Sequence, residues 1–360
     1  MTEPKTIGVL TSGGDCAGVN AVIRAVTHRA IEGYGWRVFG IHQGTRGLMR
    51  RPVDYEELTL EIFTGNILRM GGTILGTTNQ GDPFAFPMPD GTLKDRSNDI
   101  IEGYRVLGLD ALIVIGGDGS LDIARRIALQ GGLNLIGIPK TIDNDVGKTE
   151  NAIGFGTAVD VATEALDKLQ PTAASHNRVM VMEVMGRDAG HIALATGIAG
   201  GADVILIPEI PYTIDGISAK IGALRERGRN FALVVVAEAV KTADGDTVTV
   251  ADGDGHRFGG VGHYLGERIS EATGAETRVT VLGHIQRGGV PSPRDRLFAS
   301  AFGVHAVDLI AQGGFDRMVA WSNRACIDVP LADAIAEYQI VDPHGTLANT
   351  ARGLGIYIGG

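Results

Sequence analysis

Residues 139–145 read Pro-Lys-Thr-Ile-Asp-Asn-Asp and follow an apolar, β-branched run that predicts a buried strand. Thr141 supplies a hydroxyl, and Asp143 and Asp145 supply two carboxylates at alternate positions. In an extended segment alternate side chains face the same side, so one carboxylate could accept a proton from an attacking hydroxyl while hydrogen bonds or a metal hold the other. The stretch therefore predicts a strand that ends in acid–base chemistry.

Two further predicted strands end in glycine-rich turns. Residues 7–15 read Ile-Gly-Val-Leu-Thr-Ser-Gly-Gly-Asp, and residues 113–120 read Ile-Val-Ile-Gly-Gly-Asp-Gly-Ser. Backbone N–H groups at a helix N-terminus can hold phosphate, although a ligand-free connection would explain the first turn alone equally well. Asp118 could hold the Mg²⁺ that a polyphosphate carries, or it could cap the next helix. Because ligands of open α/β sheets lie beyond the carboxyl ends of the strands, the three turns together predict a phosphoryl-transfer site.

Short β-branched runs alternate with amphipathic stretches, which predicts βαβ units, a mostly parallel sheet and the α/β class. The pattern restarts at Arg178 as if a second sheet begins there, so we place a domain change near residue 150. Residues 241–256 predict an exposed hairpin or loop, and the periodicity weakens beyond about Arg317. The predicted strands are 7–11, 37–41, 111–115, 133–138, 178–184, 203–207, 231–237 and 277–282, and the predicted helices are 17–32, 99–107, 121–130, 156–169, 214–227 and 262–272.

The composition of the 360 residues, 44% hydrophobic and 21% charged, predicts a globular chain with one large or two medium domains. The formal net charge is −10, which argues against nucleic acid or an anionic membrane as partner and requires a local cluster for any anion. The start has no basic segment before an apolar run, and no stretch is long enough to span a membrane, which predicts a cytoplasmic protein. Cys16 and Cys326 predict reduced, structural thiols.

The ordered set of motifs resembles the 6-phosphofructokinase family, of the phosphofructokinase A type. Besides the three turns, the resemblance is carried by Ser-His-Asn-Arg at 175–178, Met-Glu-Val-Met-Gly-Arg at 182–187, Glu238, Glu-Thr-Arg at 276–278 and Leu-Gly-His-Ile-Gln-Arg-Gly-Gly at 282–289. It extends from Ile7 to about Gly303.

That resemblance implies two Rossmann-like three-layer domains with mostly parallel sheets and the active site in the cleft between them. Residues 1–150 with about 285–315 would bind the phosphoryl donor and Mg²⁺. Residues 151–284 with the tail of about 316–360 would bind the sugar phosphate.

The resemblance also implies direct in-line transfer of a phosphoryl group from ATP, with Mg²⁺, to the 1-hydroxyl of fructose 6-phosphate in glycolysis. Asp143 would take the hydroxyl proton, Thr141 would contact the transferred group, and Asp118 would serve Mg²⁺. The implied donor-binding residues are Gly13, Gly14, Gly117, Gly119, Ser120 and Asn79. The implied substrate-binding residues are Thr141, Asp143, Arg178, Met185, Gly186, Arg187, Glu238, Arg278, His284 and Arg287.

In the family, the positions of Arg178 and Arg278 reach into the active site of a neighbouring subunit, which implies a homodimer or homotetramer. Taken alone, both arginines could be ordinary surface charges. His284 could likewise be a core histidine, and Met185 could be simple packing. Glu238 follows an apolar run and needs a partner there.

Two positions that the family associates with the choice of donor disagree. Gly119 resembles the ATP enzymes, since pyrophosphate enzymes tend to carry Asp there, whereas Lys140 resembles the pyrophosphate enzymes. A carboxylate at 119 would repel the α-phosphate of a nucleotide by about 4 kcal/mol at roughly 4 Å and an effective dielectric of about 20. We therefore expect ATP, with pyrophosphate as the alternative, and the Gly119/Lys140 signature is that of the mixed-substrate group.

Asn79 departs from the family, which usually has Arg there to bridge the donor and the sugar phosphate. We hypothesise that Lys140 supplies the missing cation as a third catalytic residue beside Asp143 and Thr141. Two other functions stay open. The turn at 116–120 also resembles that of NAD kinases and diacylglycerol kinases, which lack the 141–145 element, and a catalytically silent nucleotide or sugar-phosphate sensor could share the fold.

Overall fold

The computed structural model of this protein describes residues 4–252 and 255–360. The chain divides into two compact units, one of Met1–Thr157 and Arg287–Tyr338, the other of Ala158–Gln286 and Gln339–Gly360. Each unit contains a mostly parallel sheet with helices packed on it, which confirms the predicted α/β class.

The elements are numbered along the whole chain. The strands are β1 (Thr6–Thr11), β2 (Arg37–Ile41), β3 (Tyr55–Glu57), β4 (Phe86–Pro87), β5 (Leu93–Lys94), β6 (Ala111–Gly116), β7 (Leu135–Thr141), β8 (Ile153–Gly154), β9 (Val179–Val184), β10 (Val204–Leu206), β11 (Ala232–Ala237), β12 (Thr249–Asp252), β13 (Gly255–Phe258), β14 (Thr277–Val281), β15 (Arg317–Ser322) and β16 (Ala325–Pro330). The α-helices are α1 (Val19–Tyr34), α2 (Thr45–Met49), α3 (Ser97–Val106), α4 (Asp118–Gly131), α5 (Phe155–His176), α6 (His191–Ala199), α7 (Ile214–Glu226), α8 (Val261–Thr273), α9 (Pro293–Gln312), α10 (Leu331–Ala336) and α11 (Thr346–Gly353). Short 3₁₀ helices lie at Leu60–Phe63, Ile67–Arg69, Pro83–Ala85 and Gly283–Arg287.

The first unit is built on an eight-stranded sheet with the order β16-β15-β7-β6-β1-β2-β3, and β8 pairs with β7. All pairs are parallel except β2 with β3 and β15 with β16. The central strand β6 is buried at every residue, as expected for a strand covered on both faces. Apolar side chains of α3, α4 and α10 pack in one core with this sheet, so the strand ends are held rigidly.

The second unit has a four-stranded parallel sheet with the order β10-β11-β9-β14. Strands β9 and β11 are buried at every position, while β14 forms an edge and is largely accessible. A separate antiparallel hairpin joins β12 and β13. It matches the hairpin predicted within 241–256, of which residues 253 and 254 lie outside the described residues.

The eight predicted strands correspond to β1, β2, β6, β7, β9, β10, β11 and β14, and the six predicted helices to α1, α3, α4, α5, α7 and α8. The C-terminal ends of one strand and one helix differ notably from the prediction. Strand β7 continues to Thr141 although Pro139 and Lys140 interrupt the apolar run, and α5 continues through Pro171 to His176.

Residues 151–157 and 316–338, which the sequence interpretation placed with the sugar-phosphate domain, lie in the first unit. The physical reason is that β15 pairs in parallel with β7 and extends the larger sheet, with β16 folding back beside it. The sequence analysis missed both strands. In β15 the residues Met318, Val319 and Ala320 are apolar and fully buried, whereas β16 is the edge strand and its residues are half-buried or exposed. Within the described residues, none of the helices has the length and apolar character that a membrane span requires.

Candidate active site

Three strand ends of the first unit meet at one edge of the sheet, because β1, β6 and β7 are parallel neighbours. The backbone N–H of Ser12 donates to the carbonyl of Ile115 at 3.0 Å, which joins the first turn to the second. A Cβ placed on Gly117 would lie 3.5 Å from the carbonyl of Lys140, so the second turn also touches the third. The three motifs that the sequence singled out are therefore adjacent.

The first turn requires glycine at position 13. Gly13 has φ 82°, and its N–H donates to the carbonyl of Thr78 at 2.9 Å. A Cβ there would lie 3.1 Å from Ser120 Oγ and 3.5 Å from Lys140 Nζ. Gly13, Ser120 and Lys140 therefore lie next to one another. All three are among the residues that the resemblance implies for catalysis or donor binding.

The second turn opens helix α4. Gly117 occupies the N-cap position and half-buried Asp118 is the first helical residue, where the helix dipole favours negative charge. Gly119 is exposed, and a Cβ built on it meets no heavy atom within 4 Å. There is consequently open space at position 119, where the sequence argument needs room for a nucleotide.

The third turn holds Thr141 and Asp143, both buried, in mutual contact. The N–H of Asp143 donates to Thr141 Oγ1 at 3.1 Å, and the Thr141 hydroxyl donates in turn to Asp143 Oδ2 at 3.2 Å. The extended geometry assumed from the sequence is wrong, because the strand ends at Thr141 and Asn144 adopts φ 55°. The segment is instead a compact loop in which Asn144 Oδ1 accepts from the N–H of Ala152 at 2.9 Å.

Lys140 is a buried cation, only 3% exposed, whose ammonium donates to the carbonyl of Gly14. Burial is the main cause that lowers the pKa of Lys140, and the charge of Arg287 acts in the same direction. Asp143 and Asp15 oppose this effect by favouring the charged form. An anionic ligand at the first turn would compensate the cost of burying this charge.

Cys16 lies beside this cluster and donates its thiol to the carbonyl of Ile153 at 3.2 Å. Burial raises the pKa of Cys16 to about 12, and burial also raises that of Cys326 to about 11. Both cysteines are free. Their thiols stay protonated at neutral pH, in line with the structural role expected of them.

Arg287 and Asn79 both lie near the first turn. One guanidinium nitrogen of Arg287 donates to the carbonyl of Asp15 at 3.2 Å and would lie 2.8 Å from a Cβ on Gly14. Thr77 Oγ1 donates to the carbonyl of Gly13 at 2.6 Å, which ties the loop carrying Asn79 to the same turn. The side chain of Asn79 is exposed. Arg287, expected at the sugar phosphate, is thus in the unit that carries the expected donor turns.

In the second unit, a turn after β9 carries Met185, Gly186 and Arg187. Gly186 has φ 151°, and a Cβ there would lie 2.5 Å from the carbonyl of Ala189. The partners that Glu238 was expected to need are backbone groups of this turn: its Oε1 accepts from the N–H groups of Gly186 at 3.3 Å and Arg187 at 3.0 Å. Glu238 therefore shapes the turn through the backbone.

Two buried polar residues of this unit, Glu183 and Gln286, belong to the quoted motifs but were assigned no role from the sequence. Gln286 Oε1 accepts from the N–H of Met185 at 2.8 Å. Glu183, 2% exposed, accepts from the N–H of Gly260 at 3.0 Å and of Gly262 at 2.8 Å, where α8 starts. The signal for Glu183 was available, since an acid inside an apolar strand needs hydrogen-bond donors.

Arg178 and Arg278 converge on one carboxylate. Arg178 contacts Glu276 Oε1 at 2.9 Å, and Arg278 donates to the same oxygen. The hydrogen bond from Arg178 is the main cause that lowers the pKa of Glu276. His284 is exposed in the 3₁₀ helix Gly283–Arg287, so the alternative of a core histidine is wrong.

No group of three or more His, Cys, Asp or Glu residues in the described part of the chain could hold a metal ion by itself. A carboxylate such as that of Asp118 suits Mg²⁺ when phosphate oxygens and water complete the coordination, which is the usual arrangement for this ion. The residues present are consistent with a metal that arrives with a polyphosphate.

Comparison with known proteins agrees with this geometry. Residues 6–310 match the family model for phosphofructokinase. The chain is 65% identical over 360 residues to ATP-dependent 6-phosphofructokinase 1 of Synechocystis, covering 100% of this chain and 99% of that protein. It is 63% identical to ATP-dependent 6-phosphofructokinase 1 of Nostoc, covering 100% of both chains.

Solved structures give the same result. Phosphofructokinase of Pichia pastoris in the T-state superposes with a TM-score of 0.81 at 32% identity, over 93% of this chain and 36% of that longer one. Pyrophosphate-dependent phosphofructokinase of Nitrosospira multiformis superposes with a TM-score of 0.81 at 22% identity, over 99% of this chain and 92% of that one, and this likeness concerns the fold alone. The chain belongs to the phosphofructokinase family.

Proposed function

We propose that this protein is an ATP-dependent 6-phosphofructokinase, which transfers the terminal phosphoryl group of ATP to the 1-hydroxyl of fructose 6-phosphate and so forms fructose 1,6-bisphosphate in glycolysis. The observation that carries the proposal is the meeting of Thr141 and Asp143 with two glycine turns at neighbouring strand ends. The relatives of 65% and 63% identity, both named ATP-dependent 6-phosphofructokinase, support it over the full length. A cytoplasmic location stays a prediction from the sequence.

The proposed chemistry needs one proton transfer and one bond exchange. Asp143 accepts the proton of the 1-hydroxyl while that oxygen forms a bond to the terminal phosphorus of ATP. The bond from this phosphorus to the bridging oxygen breaks, and ADP leaves with its negative charge. Thr141 contacts the transferred group, and the N–H groups at Gly14 and Gly117 face its oxygens, while Gly13 gives the first turn its shape.

Lys140 fits the place of the cation that Asn79 does not supply. Its ammonium is buried at the first turn beside Gly14, and a lysine there can neutralise the charge of the terminal phosphates. Mg²⁺, which we propose Asp118 and the donor phosphates hold together, would supply further neutralisation of phosphate charge when bound. In this proposal Asp118 provides a carboxylate ligand for Mg²⁺, and Lys140 contacts the phosphates of the same donor.

We propose that the sugar phosphate is held by Arg178, Met185, Gly186, Arg187, Glu238, Arg278, His284 and Arg287. Guanidinium groups bind phosphate in two-pronged geometry, which suits a protein of net charge −10 that needs a local cationic cluster. Arg178 is half-buried and Arg278 is more exposed, and both pair with Glu276. Both arginines therefore lie near the surface of the chain. This position supports the proposal that they serve the active site of a second copy in a homodimer or homotetramer.

Pyrophosphate is the second candidate donor, and Lys140 is the observation that favours it. The test is the initial rate of fructose 1,6-bisphosphate formation from fructose 6-phosphate and Mg²⁺, with ATP and pyrophosphate offered separately. We expect turnover with ATP. Turnover with pyrophosphate alone would reverse the donor assignment, and binding of both ligands with no turnover would favour the silent sensor.

A further inference from the structure

We propose that Asp295 is a positioning residue for the end of strand β7 and acts through the backbone of Gly154. It does so without touching a substrate. The inference rests on the proposed function for what this strand end does, because Lys140, Thr141 and Asp143 carry the proposed chemistry there.

The carboxylate of Asp295 is buried, with 1% of the residue exposed. Its Oδ1 accepts from the N–H of Gly154 at 3.1 Å, and its Oδ2 accepts from the N–H of Thr157 at 2.7 Å. The hydroxyl of Thr157 donates to Oδ2 as well, at 2.5 Å. Hydrogen bonds to a carboxylate are stronger than those between neutral groups, so this side chain fixes the segment 154–157.

Gly154 transmits this constraint to the strand end. It forms β8 with Ile153, and the two residues pair in register with Thr141 and Lys140 respectively. Thr141 in turn contacts Asp143 through its hydroxyl at 3.1 and 3.2 Å. Three short steps therefore lead from Asp295 to Asp143.

The surroundings of Asp295 are closely packed. Ser292 Oγ accepts from the N–H of Asp295 at 3.0 Å, and the N–H of Ser292 donates to Thr157 Oγ1 at 2.9 Å. A Cβ on Gly18 would lie 2.8 Å from Ile153 and 3.5 Å from Asp295. Gly18 lies just after the first turn and directly before helix α1. Strand β8 and Asp295 therefore also pack against the start of α1.

Asp295 lies in the first turn of helix α9, but its contacts differ from those of most acidic residues at such positions. Such residues usually interact with the N-terminal dipole of their own helix at an accessible position. Asp295 instead is buried and accepts from Gly154, which lies 141 residues earlier in the chain. Its contacts serve the loop that follows Asp143.

The test is Asp295→Asn. An amide has one acceptor oxygen and one donor group where the carboxylate has two acceptors, so either Gly154 or Thr157 loses its acceptor. We expect kcat to fall about 10- to 100-fold, since a displacement of about 1 Å in reacting groups has effects of this order, with both KM values within about twofold of wild type. Amide hydrogen exchange at Thr141, Ile142 and Asp143 should become faster, which needs no substrate.

Asp203→Asn is the matched control. Asp203 is also buried, 5% exposed, and accepts from the N–H of Leu233 at 2.9 Å, but it lies in the second unit. We expect this variant to lose stability while kcat per folded molecule and exchange at 141–143 stay unchanged. If Asp295→Asn does not fold, Thr157→Val should lower kcat and Thr157→Ser, which keeps the hydroxyl, should restore it.

Equal kcat and equal exchange at 141–143 in the Asp295 and Asp203 variants would overturn the inference. The same holds if Thr157→Val retains wild-type kcat. Absence of turnover in the wild type would overturn the proposed function instead, and the exchange measurement would still decide whether Asp295 controls the strand end.

Discussion

The strand-end turns of the first unit and the arginine cluster of the second unit, both proposed to bind phosphate, differ in burial and in partners. In the first, Lys140, Thr141 and Asp143 are buried; Lys140 donates to the carbonyl of Gly14, and Thr141 and Asp143 contact each other. In the second, Arg178 and Arg278 lie near the surface and share the carboxylate of Glu276. The buried set is fixed before any ligand arrives, whereas the arginines must exchange one partner for another. The difference suggests that the first set determines the rate of the chemistry and the second determines how tightly the sugar phosphate is held.

The largest expected effect comes from Asp143→Asn, which removes the proposed base at the buried end. Turnover should fall by about 10²- to 10⁴-fold, the usual contribution of a general base, with little change in KM. Asp122→Asn is the control, because Asp122 is half-exposed on α4 outside the turn. Steady-state rates of both variants decide the matter. Retention of wild-type kcat by Asp143→Asn would remove Asp143 from the mechanism.

Lys140→Met should cost about 10²- to 10³-fold in kcat, as expected for loss of one preorganised donor to the transferred group. The same change should raise the melting temperature, because burial disfavours the charged form of Lys140 in the folded state. Lys94→Ala, at an exposed position, serves as control. A loss of turnover no greater than that of the Lys94 variant would exclude Lys140 from catalysis.

The lowered pKa of Lys140 also predicts a pH dependence. Lys140 should lose its proton below the ordinary lysine value of 10.5, so donor affinity should weaken toward alkaline pH earlier than an exposed lysine would allow. Lys140→Arg keeps the charge, and this alkaline decline should disappear. An identical pH profile of donor KM in wild type and Lys140→Arg would show that this lysine does not control donor binding.

A smaller effect on activity is expected from substitutions in the exposed arginine cluster. Arg278→Ala should raise the KM for fructose 6-phosphate by about 10- to 100-fold through loss of a charged hydrogen bond, with a modest change in kcat. Arg268→Ala, an exposed arginine of α8 paired with Glu271, is the control.

Mixing inactive Asp143→Asn with Arg278→Ala tests whether the arginine acts in a neighbouring subunit. Mixed oligomers should regain turnover at low fructose 6-phosphate, because one active site then has both residues intact. Activity that equals the sum of the separate variants would place Arg278 in its own subunit's site or outside the site.

Much of the fold was predictable because its signals are local. The runs that became β1, β6 and β9 are apolar at consecutive positions, and the turn after β1 carries glycine at position 13, where φ is positive. Helix α9 was missed although Ser292 and Pro293 are ordinary signals for a helix start, and Ser292 does cap it. Strand β15 was missed although Met318, Val319 and Ala320 form a short apolar run that is fully buried.

The sequence pointed to candidate site residues, which stay a prediction, but not to the contacts that those residues make. Nothing local shows that Arg287 lies against Gly14, or that Arg178 and Arg278 share Glu276, since these contacts depend on how distant segments pack. The same holds for Gln286 at Met185 and Asp295 at Gly154. Long-range side-chain contacts of this kind require the structure.

The central claim, that the open turn at Gly119 admits a nucleotide donor, is tested most directly by Gly119→Asp beside Gly119→Asn. The two side chains have the same size and differ in charge, and position 119 has room for either, since a Cβ there meets no heavy atom within 4 Å. We predict that wild type turns over with ATP, that Gly119→Asp loses about 4 kcal/mol or roughly a thousandfold in kcat/KM for ATP, and that Gly119→Asn loses far less. Wild-type turnover with pyrophosphate alone, or an unchanged kcat/KM for ATP in Gly119→Asp, would contradict the account.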